Sequence, residues 1–375
     1  MSRKQIRFVM VGGFLGSGKT TALLRLAGMY AARGLRVGII TNDQAEGLVD
    51  TMAFRAAGYA TEEIPEGCFC CHFDRLLEAS GRLADGVEPD VILAEPVGSC
   101  TDLVNAVIRP LQQVYAGRFS VAPYAVLADP ERLLESLDAA GPMGLSRKVT
   151  YLYKMQQNEA DLIAINKTDG IDPDRLARVI ELVERNFPGA GYLPISARTG
   201  AGFEAFAAWL DAPAERAGRR PAEVDYARYT EAETALGWLN ARVRLSAARA
   251  WDGDAFLRRF AEELQGALCR AGGEIGHFKA RLVAERGAEG AIHATRNATG
   301  PEVALRLDAP LARGALVVNL RAEAHPETLR AAMEGALDRL GGEFGLKIEV
   351  LQGEAFAPSP PVPPPASRLA PPNAI

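Results

Sequence analysis

The chain has 375 residues, 24% of them charged and 48% hydrophobic, with a formal net charge of −5. That size and balance suit an ordinary soluble globular protein of about two domains. They give no basic footprint for general binding to nucleic acid or an anionic membrane surface. No apolar run is long enough to span a bilayer, and Met1–Gln5 passes straight into an apolar stretch without a secretory leader. A cytoplasmic setting with reduced thiols is therefore expected. Of five cysteines, three fall within four residues, a clustering foreign to a disulfide framework.

In chain order, Ile6–Val11 predicts a strand and Thr21–Ala27 a helix, its apolar residues at helical spacing. Between them lies Gly13-Phe14-Leu15-Gly16-Ser17-Gly18-Lys19-Thr20, a match to G-x-x-x-x-G-K-[ST]. Glycines let the backbone curl so that its N–H groups face phosphate oxygens, and the helix start adds unsatisfied donors. Gly13, Gly16, Ser17, Gly18, Lys19, Thr20 and Thr21 are thus candidate nucleotide contacts. Lys19 is expected to reach the β- and γ-phosphates and the Thr20 hydroxyl to ligate Mg²⁺. A plain glycine turn before a helix is the alternative.

Arg36–Thr41 reads as the second strand and runs into the acidic loop Asn42–Asp50. Asp43, Glu46 and Asp50 are candidates there for holding the metal or the attacking water, against a merely solvated loop. Next comes Glu63-Ile64-Pro65-Glu66-Gly67-Cys68-Phe69-Cys70-Cys71-His72. Three thiols with a carboxylate and an imidazole nearby suit a soft or borderline divalent ion rather than Mg²⁺. Buried cysteines or a redox pair are the alternatives. Cys100 and Cys269 are isolated, and core packing is expected of both.

Val91–Ala94 predicts a strand ending in Glu95-Pro96-Val97-Gly98. An acidic residue at such an end anchors Mg²⁺, and Gly98 N–H is placed to meet the γ-phosphate. Tyr124–Ala128, Leu162–Ile165 and Gly191–Ile195 are further strands. Asn166-Lys167-Thr168-Asp169 follows the second of these as an N-K-x-D tetrad, in which the Asp carboxylate accepts two donors from guanine; adenine offers no such pair. Ser196-Ala197-Arg198 fits an accessory loop toward guanine O6. Short, nearly all-apolar strands separated by helices predict an α/β P-loop fold, a mostly parallel sheet covered by helices, with ligands at the carboxyl ends of the strands.

This domain is expected over 1–211, followed by a Pro/Gly-bearing linker over 212–225. A smaller α+β domain over 226–356 reads as strand Leu236–Leu245, helix Asp254–Ala271, strands Ile275–Ala284, Glu302–Leu307 and Ala315–Arg321, helix Pro326–Leu340 and strand Lys347–Leu351. That order predicts a split βαβ arrangement serving as a docking surface. His277 and Lys279 read as surface or packing residues. The Pro-rich tail, 357–375, is expected to stay disordered.

Taken together, Gly13–Thr20, Glu63 with Gly67-Cys68-Phe69-Cys70-Cys71, Glu95–Gly98, Asn166–Asp169 and Ser196-Ala197 resemble the CobW-like GTPases, metallochaperones related to the nickel-insertion GTPases of urease and hydrogenase. The resemblance covers the first domain. It implies GTP hydrolysis with Lys19, Asp50 and Glu95 in catalytic roles and Mg²⁺ held by Thr20, Asp50 and Glu95. It also implies a transition metal ion (Zn²⁺, Co²⁺ or Ni²⁺) at Cys68, Cys70, Cys71 and Glu63, passed to a client metalloprotein or a cofactor-insertion protein, with links to cobalamin synthesis. Homo-oligomers are compatible with it. Two features depart from the family pattern: Asn42-Asp43-Gln44-Ala45 replaces Asn-Glu-Phe-Gly, and only His277, His293 and His325 stand where members carry a His-rich run. A GTP-gated regulatory switch with structural cysteines and, further off, a P-loop kinase are the rival functions.

Overall fold

In the computed structural model the apolar runs of the N-terminal half become the strands of one parallel sheet. The description covers residues 4–42, 49–64, 68–138, 144–285 and 287–365, without the side chains of Val49, Asp50 and Met52. The elements are β1 (Ile6–Gly13), α1 (Lys19–Ala32), β2 (Val37–Asn42), α2 (Val49–Ala56), β3 (Ala60–Ile64), α3 (Phe73–Gly86) and β4 (Val91–Glu95). A π-helical turn, Val104–Ile108, then runs into α4 (Arg109–Gln113). There follow β5 (Phe119–Val121), β6 (Ala125–Ala128), α5 (Pro130–Leu137), α6 (Arg147–Asn158), β7 (Leu162–Ile165), α7 (Pro173–Asn186), β8 (Gly191–Pro194), α8 (Phe203–Leu210) and α9 (Tyr226–Thr234).

The strand order is β3-β2-β4-β1-β6-β7-β8, with β5 beside β1, and every pairing is parallel. Residues of β2, β4, β6 and β7 are buried throughout, which is why those segments read as unbroken apolar runs. β1 lies between β4 and β6, so the chain leaves its carboxyl end where the strand order reverses, the place where open α/β sheets bind ligands. β3 escaped the sequence pattern because it is an edge strand, Ala60-Thr61-Glu62-Glu63-Ile64, buried only at its last residue.

By contact density Met1–Met143, Thr150–Tyr229 and Pro361–Ile375 form one unit, and Gly144–Val149 with Thr230–Pro360 form a second. The segment 212–225 is tied to the first unit. The buried Asp161 carboxylate accepts the amides of Tyr124 (2.8 Å), Gly218 (2.7 Å) and Arg219 (2.9 Å), while Arg7 donates to the carbonyls of Leu210 and Ala212.

The second unit holds β9 (Leu236–Asp252), α10 (Gly253–Arg270), β10 (Glu274–Ala284), β11 (Glu289–Ala294), β12 (Glu302–Leu305), β13 (Pro310–Glu323), α11 (Pro326–Phe344) and β14 (Lys347–Phe356). Its sheet is antiparallel in the order β12-β11-β10-β13-β9-β14, so β13 stands between β9 and β10, the split βαβ arrangement. Phe256, Phe260 and Leu264 of α10 and Leu329, Met333 and Leu337 of α11 join Val243, Phe278, Leu316 and Val318 in one core. β11 was not legible because Ile292 is its only large apolar residue. Cys269, expected in this core, is exposed; the buried stripe of α10 runs through Leu264 and Leu268 and leaves its neighbour on the outer side. Among the described residues no helix is long and apolar enough to cross a membrane.

Glu159, just past α6, is fully buried and accepts from the Thr101 hydroxyl (3.0 Å) and the Val104 amide (3.1 Å). Burial, helped by the charge of Asp102, pushes its carboxyl up to about 8 from the ordinary 4.5, against the pull of those two donors. Between these two values the folded chain holds a proton that the unfolded chain has released. Stability should therefore fall as pH rises from 4.5 to about 8, by up to about 1.4 kcal/mol per pH unit, and level off above. Urea unfolding of the first unit at pH 5 and pH 8 should show this slope in the wild type and its loss in Glu159→Gln. An unchanged slope in the variant contradicts the assignment.

Candidate nucleotide site and cysteine cluster

The glycine loop joins the end of β1 to the start of α1. Gly13 and Gly18 have φ of 139° and 94°, conformations that L side chains rarely adopt. A Cβ at Gly13 would come to 2.5 Å from the Leu127 carbonyl oxygen, and one at Gly18 to 2.5 Å from Asn166 Nδ2. The loop is thus fixed both by its own dihedrals and by its neighbours. Lys19 is 8% exposed, and its Nζ donates to the carbonyls of Gly13 (3.0 Å) and Phe14 (3.4 Å), which holds the ammonium over the loop. Ser17 Oγ is buried with no hydrogen-bond partner among the described residues. Thr21 is exposed in the first turn of α1.

Thr20 Oγ1 donates to Glu95 Oε1 at 3.0 Å, which brings the helix hydroxyl and the carboxylate at the end of β4 together. These are hard oxygen donors, the set that suits Mg²⁺. Gly98 lies against the loop, where a Cβ would meet the Leu15 amide nitrogen at 3.0 Å. Gln156, not singled out from the sequence, fixes this turn by donating to the carbonyls of Gly98 (2.9 Å) and Cys100 (2.8 Å). Of the acidic-loop candidates, Asp43 and Glu46 lie outside the described residues. Asp50 contributes its backbone to the start of α2, and its side chain lies outside the description.

The N-K-x-D tetrad is braced to the glycine loop. Asn166 Nδ2 donates to the Ser17 carbonyl at 2.8 Å, and its Oδ1 accepts the Ala197 amide at 2.9 Å. One buried side chain thus joins the phosphate loop to the Ser196-Ala197 loop. Lys167 adopts a left-handed φ of 64° and donates to Asp129 Oδ2 at 2.8 Å. Asp129 also caps α5 by accepting the Glu131 amide at 2.9 Å, the one role its position before a proline signals. Arg25 of α1 holds the accessory loop through the carbonyls of Ala197 and Arg198, each at 2.8 Å. Asp169 Oδ1 accepts from the Ser196 hydroxyl at 2.6 Å, and its Oδ2 pairs with the exposed Arg198. Partial burial acts to raise the Asp169 pKa, but the Ser196 hydroxyl and Arg198 outweigh it and hold the carboxyl below the ordinary aspartate value.

The cysteines sit in the turn before α3, where the amides of Cys71 (3.0 Å) and His72 (2.9 Å) both donate to the Cys68 carbonyl. Cys68 and Cys70 are buried and Cys71 is half-buried. The sulfurs of Cys68 and Cys70 are close enough to pair as a disulfide, Cys71 Sγ is 3.2 Å from that of Cys68, and all three lie within 4.8 Å of one another. Among the described residues the three thiols make up this cluster alone. Glu63 lies outside it, with Oε2 3.9 Å from Arg55 and Oε1 buried without a hydrogen-bond partner among the described residues. Asn42, at the end of β2, donates from Nδ2 to the Ile64 carbonyl (3.1 Å) and accepts at Oδ1 from the Phe69 amide (2.9 Å). Its type and position gave no sign of that reach. Cys100 is buried apart from the cluster, as expected.

The Asp169 carboxylate generates a base-choice prediction. Asp169→Asn should lose GTP by several kcal/mol and gain xanthosine triphosphate, whose C2 oxygen matches the new amide. Competition binding with the three nucleotides tests it; equal affinity of the wild type for ATP and GTP contradicts guanine reading.

The CobW/HypB/UreG nucleotide-binding domain profile matches residues 7–192. Over 239 residues the chain is 30% identical to a zinc chaperone CobW of Pseudomonas aeruginosa, a match covering 52% of this chain and 60% of that protein. It is 28% identical over 171 residues to the zinc chaperone YeiR of Escherichia coli, covering 44% and 47% respectively. The chain therefore spans about half the length of the curated relatives it matches. Among solved structures, Zn(II)-bound YjiA GTPase from E. coli aligns over 88% of this chain and 99% of its own at 16% identity, with a TM-score of 0.38. The hydrogenase maturation factor HypB of Archaeoglobus fulgidus aligns over 56% and 89% at 20% identity, with a TM-score of 0.37. With the phosphate loop, the Glu95–Gly98 turn, the braced tetrad and the three sulfurs on one scaffold, residues 7–192 belong to the CobW/HypB/UreG family of nucleotide-binding domains.

Proposed function

We propose that the chain is a GTP-hydrolysing metal chaperone that passes a transition metal ion to a client metalloprotein or cofactor-insertion protein. The observation that carries this reading is the gathering of three sulfurs on a loop hydrogen-bonded to the end of β2, beside the carboxyl ends that bear the nucleotide motifs. Thiolates favour Zn²⁺, Co²⁺ or Ni²⁺ over Mg²⁺, and the two relatives named as zinc chaperones favour zinc. Glu63 lies outside the three-sulfur cluster and would have to approach it to serve as a further ligand; its buried Oε1 has no hydrogen-bond partner among the described residues. A cytoplasmic setting would keep these thiols reduced.

In the nucleotide site, Gly13, Gly16, Ser17 and Gly18 present backbone donors to the phosphates, with Thr21 and Gly98 at the margins. Asn166, Lys167, Asp169, Ser196 and Ala197 form the guanine side. Thr20, Glu95 and Asp50 would hold Mg²⁺, which neutralises charge on the phosphates when bound. Lys19 meets the negative charge that develops at the γ-phosphate as water attacks in line. Catalysis here is mainly positioning and charge neutralisation, so unaided turnover is slow. A client or a second copy of the chain is the source of any further catalytic cation. A GTP-gated switch with structural cysteines is the competing reading. A P-loop kinase has no use for the braced tetrad.

Lys19→Ala should lower GTP hydrolysis by at least about 10²-fold while the fold persists, because its side-chain bonds go to loop carbonyls. Turnover by phosphate release checks this, and an unchanged rate removes the site from the mechanism. For the metal, titration with Zn²⁺ against a chromophoric competitor should give one ion per chain, released protons and weaker binding at lower pH. Replacing Cys68, Cys70 and Cys71 together by Ser should abolish it. A triple variant that binds as tightly as wild type leaves the switch reading standing.

A further inference from the structure

β2 ends in two adjacent residues that grip different elements. Thr41 Oγ1 lies 2.9 Å from Thr51 Oγ1 of α2, the helix whose first turn contains Asp50. Thr41 is also in register with Glu95 of β4, the carboxylate that meets Thr20. Asn42 turns to the other side. It is 6% exposed, donates to the Ile64 carbonyl at the end of β3 at 3.1 Å, and accepts the Phe69 amide at 2.9 Å. Phe69 is the residue between Cys68 and Cys70, and its side chain is fully buried, so this point of the cysteine loop has little slack. In sequence, Asn42 is also the residue from which the acidic loop departs.

A side-chain amide suits this place for a specific reason. It offers one acceptor and one donor at fixed separation, so a single residue holds an N–H of the cysteine loop and a C=O of β3 at once. An aspartate keeps the acceptor and loses the donor, while an alanine loses both. Any displacement of the end of β2 is then passed to the backbone between the first two sulfurs.

We infer that Asn42 is the positioning residue that couples the nucleotide state to the geometry of the cysteine cluster. The inference rests on the reading that GTP and a metal ion bind this chain together. When the γ-phosphate orders the carboxyl ends of β2 and β4, Asn42 holds the Phe69 amide in the position that gathers the sulfurs. When it is gone, the same bond carries the relaxation to the loop.

The test uses the full chain and Zn²⁺, titrated against a chromophoric competitor with either a non-hydrolysable GTP analogue or GDP bound. Three proteins are compared: wild type, Asn42→Ala and Asn42→Asp, each checked for fold by circular dichroism. In the wild type the two nucleotide states should differ in Zn²⁺ affinity by about 5–150-fold. In Asn42→Ala that ratio should fall to within about 2-fold of unity, and in Asn42→Asp to an intermediate value, since one of the two bonds remains. A wild-type ratio in either folded variant overturns the inference, including the case in which both affinities drop equally, which marks a merely structural residue. A ratio of one in the wild type itself removes the coupled reading beneath it and the inference together.

Discussion

The eight strands β1 to β8 that carry the backbone of the first unit run in one direction, so their carboxyl ends share one edge of the sheet. The placement of β1 between β4 and β6 opens that edge at the glycine loop, and everything polar in the site depends on it. The apolar residues that bury β2, β4, β6 and β7 have no chemistry of their own. They hold the strand ends in register, and the ends place Glu95 beside Thr20 and Asn166 beside Ser17 at hydrogen-bond distance. Asn166 does for the nucleotide side what Asn42 does for the cysteine side. Each is a buried amide that spends a donor and an acceptor on two different loops.

The two donor sets differ in chemical hardness. Thr20 and Glu95 offer oxygens, which suit a small, strongly hydrated cation beside phosphate. Cys68, Cys70 and Cys71 offer polarisable sulfurs, which select borderline and soft ions. Under the proposed function, separate chemistry at separate places would let one chain handle Mg²⁺ as a helper of hydrolysis and another ion as cargo without exchange between them. The shared strand β2 is hydrogen-bonded to both β3 and β4 and is the route that the proposed coupling between the two places would take.

What could be read from the sequence was local. Gly13–Thr20 declares itself because its geometry is set by contiguous residues: the positive φ of Gly13 and Gly18, and a helix that starts at Lys19. The tetrad and the cysteine cluster are likewise short and dense in chemistry. What could not be read was long-range. Arg25 reaches residues more than 170 positions away, Gln156 reaches back to Gly98 and Cys100, and Asn42 bridges 22 and 27 positions. Arg, Gln and Asn have too many ordinary surface roles for their type alone to mark these contacts. Weakly apolar strands such as β3 and β11 were hidden because their stability comes from pairing at or near a sheet edge rather than from a buried run. Cys269 shows the opposite failure, an apolar type taken as core one position off the buried stripe of its helix.

Under the proposed function, nucleotide and metal bind this chain in one coupled equilibrium. Coupling of this kind is reciprocal, so the metal must act on the nucleotide as strongly as the nucleotide acts on the metal. The measurement is the affinity of a non-hydrolysable GTP analogue for the 375-residue chain with Mg²⁺ present, by isothermal calorimetry, with and without one equivalent of Zn²⁺. Zn²⁺ should tighten the analogue by about 5–150-fold in the wild type and leave it unchanged when the three cysteines are replaced by serine. An analogue affinity that does not respond to Zn²⁺ in the wild type rules out coupling between the two sites.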